Sequence, residues 1–225
     1  MPLTHSWDVS PSQAIELQRE MAPKVIQNGS LDSTDLIAGA DLAFSPDKRW
    51  CIAGVVVWAK IEHRVTEQIV VRRRVRFPYV PGLLSFREAP AILAAIVKLK
   101  SAPDVFLFDG QGYAHPRRLG LASHVGLWID RPSVGCAKSV LVGTGDEPEP
   151  RKGSMAELRH RGEVVAMSLR TRDRVKPVFV SVGHRISLVA AAKLVLSCCT
   201  RFRLPEPTRL ADQLVGRSRL LPREQ

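Results

Sequence analysis

Residues 106–120, F-L-F-D-G-Q-G-Y-A-H-P-R-R-L-G, combine an apolar run, a carboxylate, glycines and a basic pair. The run Val105–Phe108 predicts a strand buried on both faces, because bulky apolar residues follow one another without alternation. Asp109 ends that strand where open α/β sheets place their ligand sites. The glycines allow close approach of a bulky partner, and the arginines suit a phosphate. The competing interpretation is an Asp that only begins a turn before Gly110.

Two more acids strengthen the functional interpretation. Asp41 interrupts the apolar run 36–44, where an ionised carboxylate is costly unless it is paired or bound to a cation. Its competing interpretation is a strand-end Asp that faces water before the turn at residues 45–47. Glu88 precedes an apolar helix, and Ser85-x-x-Glu88 also fits a capping box. Pro90 argues against that cap, so we expect the helix to begin two or three residues after Ser85.

The predicted order of elements brings the acids together. Asp41 lies on the first strand and Asp109 at the end of the fourth, with Glu88 on the helix between them. If the two strands are neighbours, the three acids meet at one edge of the sheet and need divalent cations to coexist ionised. Oxygen ligands of this kind suit Mg²⁺, and Mn²⁺ is expected to substitute. Metal-assisted phosphodiester hydrolysis requires such a site.

Composition indicates the substrate class. The chain has 225 residues and a formal net charge of +11, which favours an anionic partner, with nucleic acid ahead of a membrane. We expect one domain over residues 1–225, because no linker long enough to separate domains is visible. Basic residues recur along the whole chain, at 72–74, 117–118, 170–172, 201–203 and 217–219.

The cysteines and the N-terminus indicate the compartment. The four cysteines, Cys51, Cys136, Cys198 and Cys199, lack C-x-x-C spacing and are predicted to be buried thiols in a reducing environment. Residues 1–5 lack a signal pattern, and no apolar run reaches membrane-spanning length. We therefore expect a cytoplasmic protein that does not associate with membranes.

The pattern of elements predicts an α/β fold, in which a mixed sheet has an antiparallel meander followed by parallel strands and is flanked by helices. A helix is expected after Ser10. Strands are expected around 36–44, 50–60, 65–77, 105–109, 133–138, 163–169 and 178–182. Further helices are expected over 117–129 and 188–199, with a last short helix after residue 205.

Seven sequence blocks carry a resemblance to a known family. They are G-A-D at 39–41, P-Y-V-P-G-L-L-S-F-R-E at 78–88, D-G-Q-G at 109–112, H-P-R-R-L-G at 115–120, G-C-A-K-S at 135–139, V-G-H-R-I-S-L at 182–188 and P-E-P-T-R at 205–209. In these blocks the chain resembles endonuclease V, the deoxyinosine 3′ endonuclease family, which has a ribonuclease H-like fold. Gln111 stands where many relatives have His, and Val182 where some have Pro.

The resemblance implies a set of roles. Asp41 and Asp109 are expected to bind the catalytic Mg²⁺, with Glu88 and His184 completing the site. Lys138 is expected near the scissile phosphate. Tyr79 is expected to wedge into the strand or duplex where the altered base leaves the stack. The family cuts the second phosphodiester bond 3′ to inosine and leaves a 3′-hydroxyl and a 5′-phosphate.

The residues themselves support several of these roles, although each also has a structural interpretation. Tyr79 followed by Val-Pro81-Gly82 is a stiff projection suited to stacking on a base, or else a rigid turn. Backbone amides near Gly82–Leu84 and Gly110–Gly112 are expected to donate to the base oxygen. His184 suits a proton shuttle or is a helix cap, and Lys138 suits a developing phosphate charge or is one exposed lysine among many. His115 contacts phosphate or packs the turn before Pro116.

Two alternatives remain open at this stage. One is a non-catalytic nucleic-acid-binding protein, which buried acids disfavour unless metals are present. The other is a ribonuclease H-like nuclease that recognises branched or flapped structure, which the Tyr79 projection disfavours. We expect a monomer that acts on inosine-containing DNA, with inosine-containing RNA as a second candidate substrate.

Overall fold

A computed structural model describes residues 4–31 and 34–218 of the chain. Arg219, in the last basic cluster, lies outside the described residues. Among the described residues, no helix is long and apolar enough to cross a membrane. The strands are β1 (Leu36–Phe44), β2 (Trp50–Ala59), β3 (Arg64–Arg74), β4 (Val105–Phe108), β5 (Ser133–Ala137), β6 (Met155–His160), β7 (Glu163–Leu169) and β8 (Val178–His184). The helices are α1 (Pro11–Met21), α2 (Leu84–Ile96), α3 (Leu121–Ile129), α4 (Leu188–Ser197) and α5 (Glu206–Ser218).

The strands form one eight-stranded sheet in the order β3-β2-β1-β4-β5-β8-β7-β6. The first three strands are an antiparallel meander, and β1, β4 and β5 run parallel to one another. These features confirm the predicted mixed sheet. The strands β8, β7 and β6 return antiparallel. Because β8 runs antiparallel to β5, its C-terminal end lies at the edge opposite to the C-terminal ends of the parallel strands.

Helices cover both faces of the sheet. On one face, α2 and α3 contribute Ala89, Ile92 and Val125 to a core with Phe106 and Phe108. On the other face, α5 packs directly on β1, and a Cβ on Gly39 would lie 2.1 Å from the backbone of Pro207. Glycine at position 39 therefore allows the helix to touch the strand that carries Asp41.

Several element boundaries differ from the sequence prediction. Helix α2 begins at Leu84, before Ser85, and contains Pro90 within it. Helix α3 begins at Leu121 and not at Arg117, because Arg118 adopts a left-handed conformation with φ of 61°. Strand β6 was not predicted, although the Arg161–Gly162 turn that joins it to β7 is visible in the sequence. The last helix has 13 residues and is not short.

Local sequence accounts for other elements as predicted. Ser10 caps α1, where its hydroxyl oxygen accepts from the amide of Gln13 and the Gln13 side-chain oxygen accepts from the amide of Ser10. The cysteines are confirmed as buried free thiols. Burial is the largest cause of the raised pKa of the Cys51 thiol, about 12.

Candidate active site

Two of the predicted acids lie side by side at the carboxyl edge of the parallel strands. In the register of β1 and β4, Ala40 pairs with Phe108, so the next residues, Asp41 and Asp109, lie side by side at the ends of neighbouring strands. The amide of Asp109 donates to the carbonyl of Ala40 over 3.4 Å. The juxtaposition expected from the order of strands is therefore present.

Glu88 approaches the same edge from α2. Burial raises the pKa of Glu88 to about 8, and the carboxylates of Asp41 and Asp109 contribute to the rise. Burial likewise raises the pKa of Asp41 to about 7, with Asp109 adding to the effect. The three carboxylates therefore repel one another in a partly desolvated space, and a bound cation would reduce that repulsion.

A fourth acid, Asp212 on α5, was not predicted. Its carboxylate accepts a hydrogen bond from the Asp41 carboxyl when that group is protonated, and it also raises the pKa of Asp41. No local motif marks Asp212, which lies on the exposed side of an amphipathic helix. The close packing of α5 against Gly39 places this side chain at the site.

Lys138 follows β5 and supplies the positive charge at this edge. Its ammonium group donates to the Asp109 carboxylate. Burial acts to lower the pKa of Lys138, but the contact with Asp109 and the nearby Asp41 and Asp212 raise it overall. Lys138 is therefore a charged donor beside the acids, and its place near the scissile phosphate stays a prediction.

The acids fit a divalent ion through their oxygen chemistry and their mutual repulsion. The residues at 4–31 and 34–218 contain no preformed cage of three or more His, Cys, Asp or Glu side chains. The Lys138 ammonium instead compensates part of the charge through Asp109. Asp41 and Asp109, on adjacent strands, are the residues best placed to hold an ion, with Asp212 next to Asp41.

The structure does not bring His184 to the acids. Strand β8 runs antiparallel to β5, so His184, at the end of β8, pairs with Ser133 at the start of β5. Phe108 pairs with Gly135 of β5, and Asp109 comes one residue after Phe108. The offset is about three residues, roughly 10 Å along the strands. The His184 ring accepts from the amide of Ile26 over 3.2 Å and faces Asp130 at 3.3 Å. Both ring nitrogens are engaged at the opposite edge.

The predicted substrate loop leads directly into α2, the helix that carries Glu88. Tyr79 is 71% exposed, whereas Leu83 is buried beneath the loop. Gly82 adopts a φ of 77°, a left-handed conformation that favours glycine. Leu84 is the first residue of α2, so no carbonyl of the helix can accept from its amide. The loop therefore presents an exposed aromatic ring and a free donor, with Pro81 exposed between them.

The carbonyl of Gly82 anchors this loop to the rest of the protein. It accepts from the Gln18 amide over 3.0 Å, from the Arg117 guanidinium over 2.8 Å and from His115 Nε2 over 3.0 Å. His115 is buried, and burial followed by the charge of Arg117 lowers its pKa to about 4. His115 thus packs the turn and holds the loop.

The glycines after β4 differ in what they offer. The amide of Gly112 already donates to the Ser181 hydroxyl over 2.8 Å, so it is not free for a base. A Cβ on Gly135 would meet the Gly110 carbonyl and the Gly112 amide, which shows that this turn lies directly against β5. Gly110 therefore remains at the rim of the site, while Gly112, whose amide is already bonded, helps to fix the shape of the turn.

Comparisons with known proteins agree with this architecture. The endonuclease V family model matches residues 19–213. The chain is 50% identical to endonuclease V of Gloeobacter violaceus over 210 residues, 92% of this chain and 85% of that protein. Endonuclease V of Streptomyces avermitilis superposes with a TM-score of 0.90 at 38% identity and 96% coverage of both chains.

A third comparison is a Ciona intestinalis endonuclease V in complex with a 24mer DNA containing an inosine followed by a ribo-adenosine. It superposes with a TM-score of 0.81 at 28% identity, covering 92% of this chain and 96% of that one. These likenesses confirm the ribonuclease H-like fold. Matched in sequence and in structure over nearly its whole length, this chain belongs to the endonuclease V family.

Proposed function

We propose that this protein is a Mg²⁺-dependent endonuclease that recognises inosine in DNA, with inosine in RNA as a second substrate, and hydrolyses the second phosphodiester bond on its 3′ side. The products are a 3′-hydroxyl and a 5′-phosphate, and the role is repair of deaminated adenine. The observation that carries the proposal is the convergence of Asp41, Glu88 and Asp109 beside Lys138. The inosine-containing DNA bound by the Ciona relative supports the choice of substrate.

The acids have separate roles in this proposal. Asp41 and Asp109 would hold Mg²⁺, or Mn²⁺ in its place, and Asp212 adjusts the charge of Asp41 from α5. The ion would supply Lewis acidity to the phosphate and the attacking water. Glu88 orients the water from the helix side, and Lys138 donates to the phosphate oxygens as their negative charge grows. His184 is left out of the reaction, because it lies at the opposite edge.

Recognition of the base relies on the loop 79–84. Tyr79 fills the gap left when the base leaves the stack, since its ring is exposed and the loop beneath it is anchored. The Leu84 amide donates to O6 of hypoxanthine, an acceptor that replaces the amine of adenine. Gly82, Pro81 and the rim at Gly110 shape the pocket, while Gly112 and His115 support it from beneath.

The decisive experiment compares matched DNA and RNA strands, with and without inosine, in Mg²⁺. We expect inosine-dependent cleavage of both at the second bond, with little cutting of unmodified strands. Binding without cleavage would identify a non-catalytic nucleic-acid-binding protein. Equal cleavage of flapped substrates with and without inosine would identify a structure-specific nuclease.

We also propose that the protein is a monomer, which sedimentation of the same preparation tests. A single domain over residues 1–225 and a cytoplasmic location are part of the proposal.

A further inference from the structure

A cavity of about 290 Å³ lies between β3, the first turns of α2 and the segment at residues 6–8. Its lining includes aromatic and arginine residues. The aromatic residues are Trp7, Phe77 and Phe86, and the arginines are Arg73, Arg74, Arg76 and Arg87. Asp8 is the single carboxylate residue of this lining. Aromatic faces beside arginines are the chemistry that single-stranded nucleic acid binds.

Two of these arginines have existing partners, and two do not. Arg73 donates to the carbonyl of Pro90 over 3.0 Å, and Arg87 donates to the carbonyl of Phe77 over 3.1 Å. Arg74 and Arg76 make no side-chain hydrogen bond or ion pair with any residue in the described part of the chain. Both are exposed, so their charge is available to an anion that enters the cavity.

The cavity borders the acid site. Cys51 lines it and pairs with Phe44 of β1 on one side and with Arg73 of β3 on the other. Arg87, which lines the cavity, directly precedes Glu88 in α2, so the cavity wall lies next to one of the three acids. From Asp41 to Arg73 the offset is three residues along the sheet and two strands across, roughly 14 Å. That span corresponds to about four nucleotides of a stacked strand.

The order of strands gives the direction of the path. Lys138 follows β5 and Gly110 follows β4, whereas the cavity lies beyond β2 and β3, with the acids between the two regions. In the proposed function the base pocket reaches the rim at Gly110, so a strand that leaves this pocket and crosses the acids in the 3′ direction continues toward the arginines.

We propose that the cavity lined by Arg74, Arg76 and Trp7 binds a nucleotide of the substrate strand on the 3′ side of the cut. The phosphate meets the two unpaired guanidiniums, and the base lies against the aromatic wall. This contact rests on the proposed function and extends it, because it makes the length of the 3′ arm a determinant of affinity.

The test measures binding and cleavage of single strands in which inosine is followed by a 3′ arm of about two or about eight nucleotides. Binding is measured by fluorescence anisotropy in Ca²⁺ and cleavage in Mg²⁺. We expect the long 3′ arm to improve the affinity of the unmodified enzyme about tenfold, and R74A/R76A to lose that gain. The slope of log affinity against log salt should fall by about 1.4 in the variant, because each phosphate contact to a single strand contributes about 0.7.

Matched variants and substrates separate the possible outcomes. R151A/R172A removes two exposed arginines from other loops and should keep the 3′-arm gain. On the short substrate, R74A/R76A should retain the unmodified enzyme's kcat. If R74A/R76A keeps the full gain, or if a 5′ arm gives the gain instead, the proposal is overturned. If the unmodified enzyme cuts no inosine strand at all, the proposed function fails and not merely this contact.

Discussion

The central strands end at two opposite edges of the sheet, and each of these edges holds buried or half-buried charged groups. The surroundings shift the pKa values of the acids in opposite directions at the two edges. At the edge beyond β8, the carboxylate of Asp130 accepts from Arg185 over 2.6 Å and faces His184, and these bonds lower the pKa of Asp130. At the other edge, burial and neighbouring acids raise the pKa of Asp41 to about 7 and that of Glu88 to about 8.

The difference separates a structural acid from a functional one. Asp130 has its partners within the fold, so its charge needs nothing from outside. Asp41 and Glu88 face like charges, and the Lys138 ammonium, although it also interacts with Asp41, makes its hydrogen bond to Asp109. Groups whose charged state is penalised by the fold are expected where a ligand supplies the missing countercharge. We therefore propose that the edge at Asp41 is the reactive one, although both edges contain acids and basic residues.

The largest expected effect comes from removing the acids themselves. Asp41→Ala and Asp109→Ala should each lower cleavage of inosine strands by about 10³-fold or more, because the ion loses an oxygen ligand worth several kcal/mol of transition-state stabilisation. Binding of the strand in Ca²⁺ should survive, since removing negative charge does not weaken phosphate contacts. Single-turnover cleavage and anisotropy measure the two quantities.

Asp130→Asn is the matched control at the opposite edge. Asn tolerates the left-handed conformation of residue 130, whose φ is 52°, so the backbone is preserved. Cleavage should remain within a few-fold of the unmodified enzyme. A loss comparable to that of Asp41→Ala would mean that the His184 edge takes part in the reaction, and the contrast between the two edges would fail.

A smaller effect is expected at Lys138. Lys138→Ala should lower kcat about 10²-fold while KM changes little, because its charge matters most as negative charge grows on the phosphate. Lys138→Arg should restore part of kcat. Steady-state kinetics on saturating inosine DNA measure both constants. A rise in KM with unchanged kcat would show that Lys138 only binds the ground-state strand.

Tyr79 is expected to affect selectivity more than turnover. Tyr79→Ala should lower the ratio of cleavage rates on inosine and unmodified strands about tenfold, since a stacked aromatic contributes about 1–3 kcal/mol per base. Tyr79→Phe keeps the ring and should keep the ratio. If the ratio of cleavage rates is unchanged in Tyr79→Ala, Tyr79 is only a turn residue and plays no part in extruding the base.

The smallest expected effect is on stability as a function of pH. Asp41 and Glu88 bind protons more tightly in the folded protein than in the unfolded chain, so without divalent ions the free energy of unfolding should fall as pH rises from about 4 to about 8. Asp130 has the opposite sign, because its stabilisation is lost only as pH falls through acid values. Mg²⁺ should reduce the loss at high pH.

Thermal unfolding of the unmodified protein and of Asp41→Asn, followed at pH 6 and pH 8, checks this dependence. Asp41→Asn should flatten the fall between the two pH values by about 1.4 kcal/mol, since the amide carries no titrating charge. A fall as steep as that of the unmodified protein would show that Asp41 is fully ionised and stabilised without an ion.

Local sequence determined much of this architecture. The unbroken apolar run at Val105–Phe108 predicts a doubly buried strand, and the Asp that ends it lies where predicted, beside Asp41. The cap of α1 at Ser10 follows from bonds within four residues. Such features depend on side chains close in sequence, so they are visible before the chain is folded.

Other boundaries depend on packing that overrides local preference. Pro90 argued for a late start of α2, yet the helix begins at Leu84, because Leu83 and Phe86 bury their side chains against Ala14 and Phe77. Strand β6 carries charged residues at alternate positions and lies at the outer side of the sheet, where it pairs with β7 and makes an isolated bridge to Thr144, so its sequence resembles a loop. In both places, long-range contacts decide the element.

The membership of the site was decided by tertiary structure alone in two respects. Asp212 joins Asp41 because α5, more than 160 residues later in the chain, packs on β1 where Gly39 leaves room. His184 leaves the site because β8 runs antiparallel to β5, which carries its carboxyl end to the other edge. A sequence shows which side chains can perform chemistry, but the direction and the packing of each element determine which of them meet.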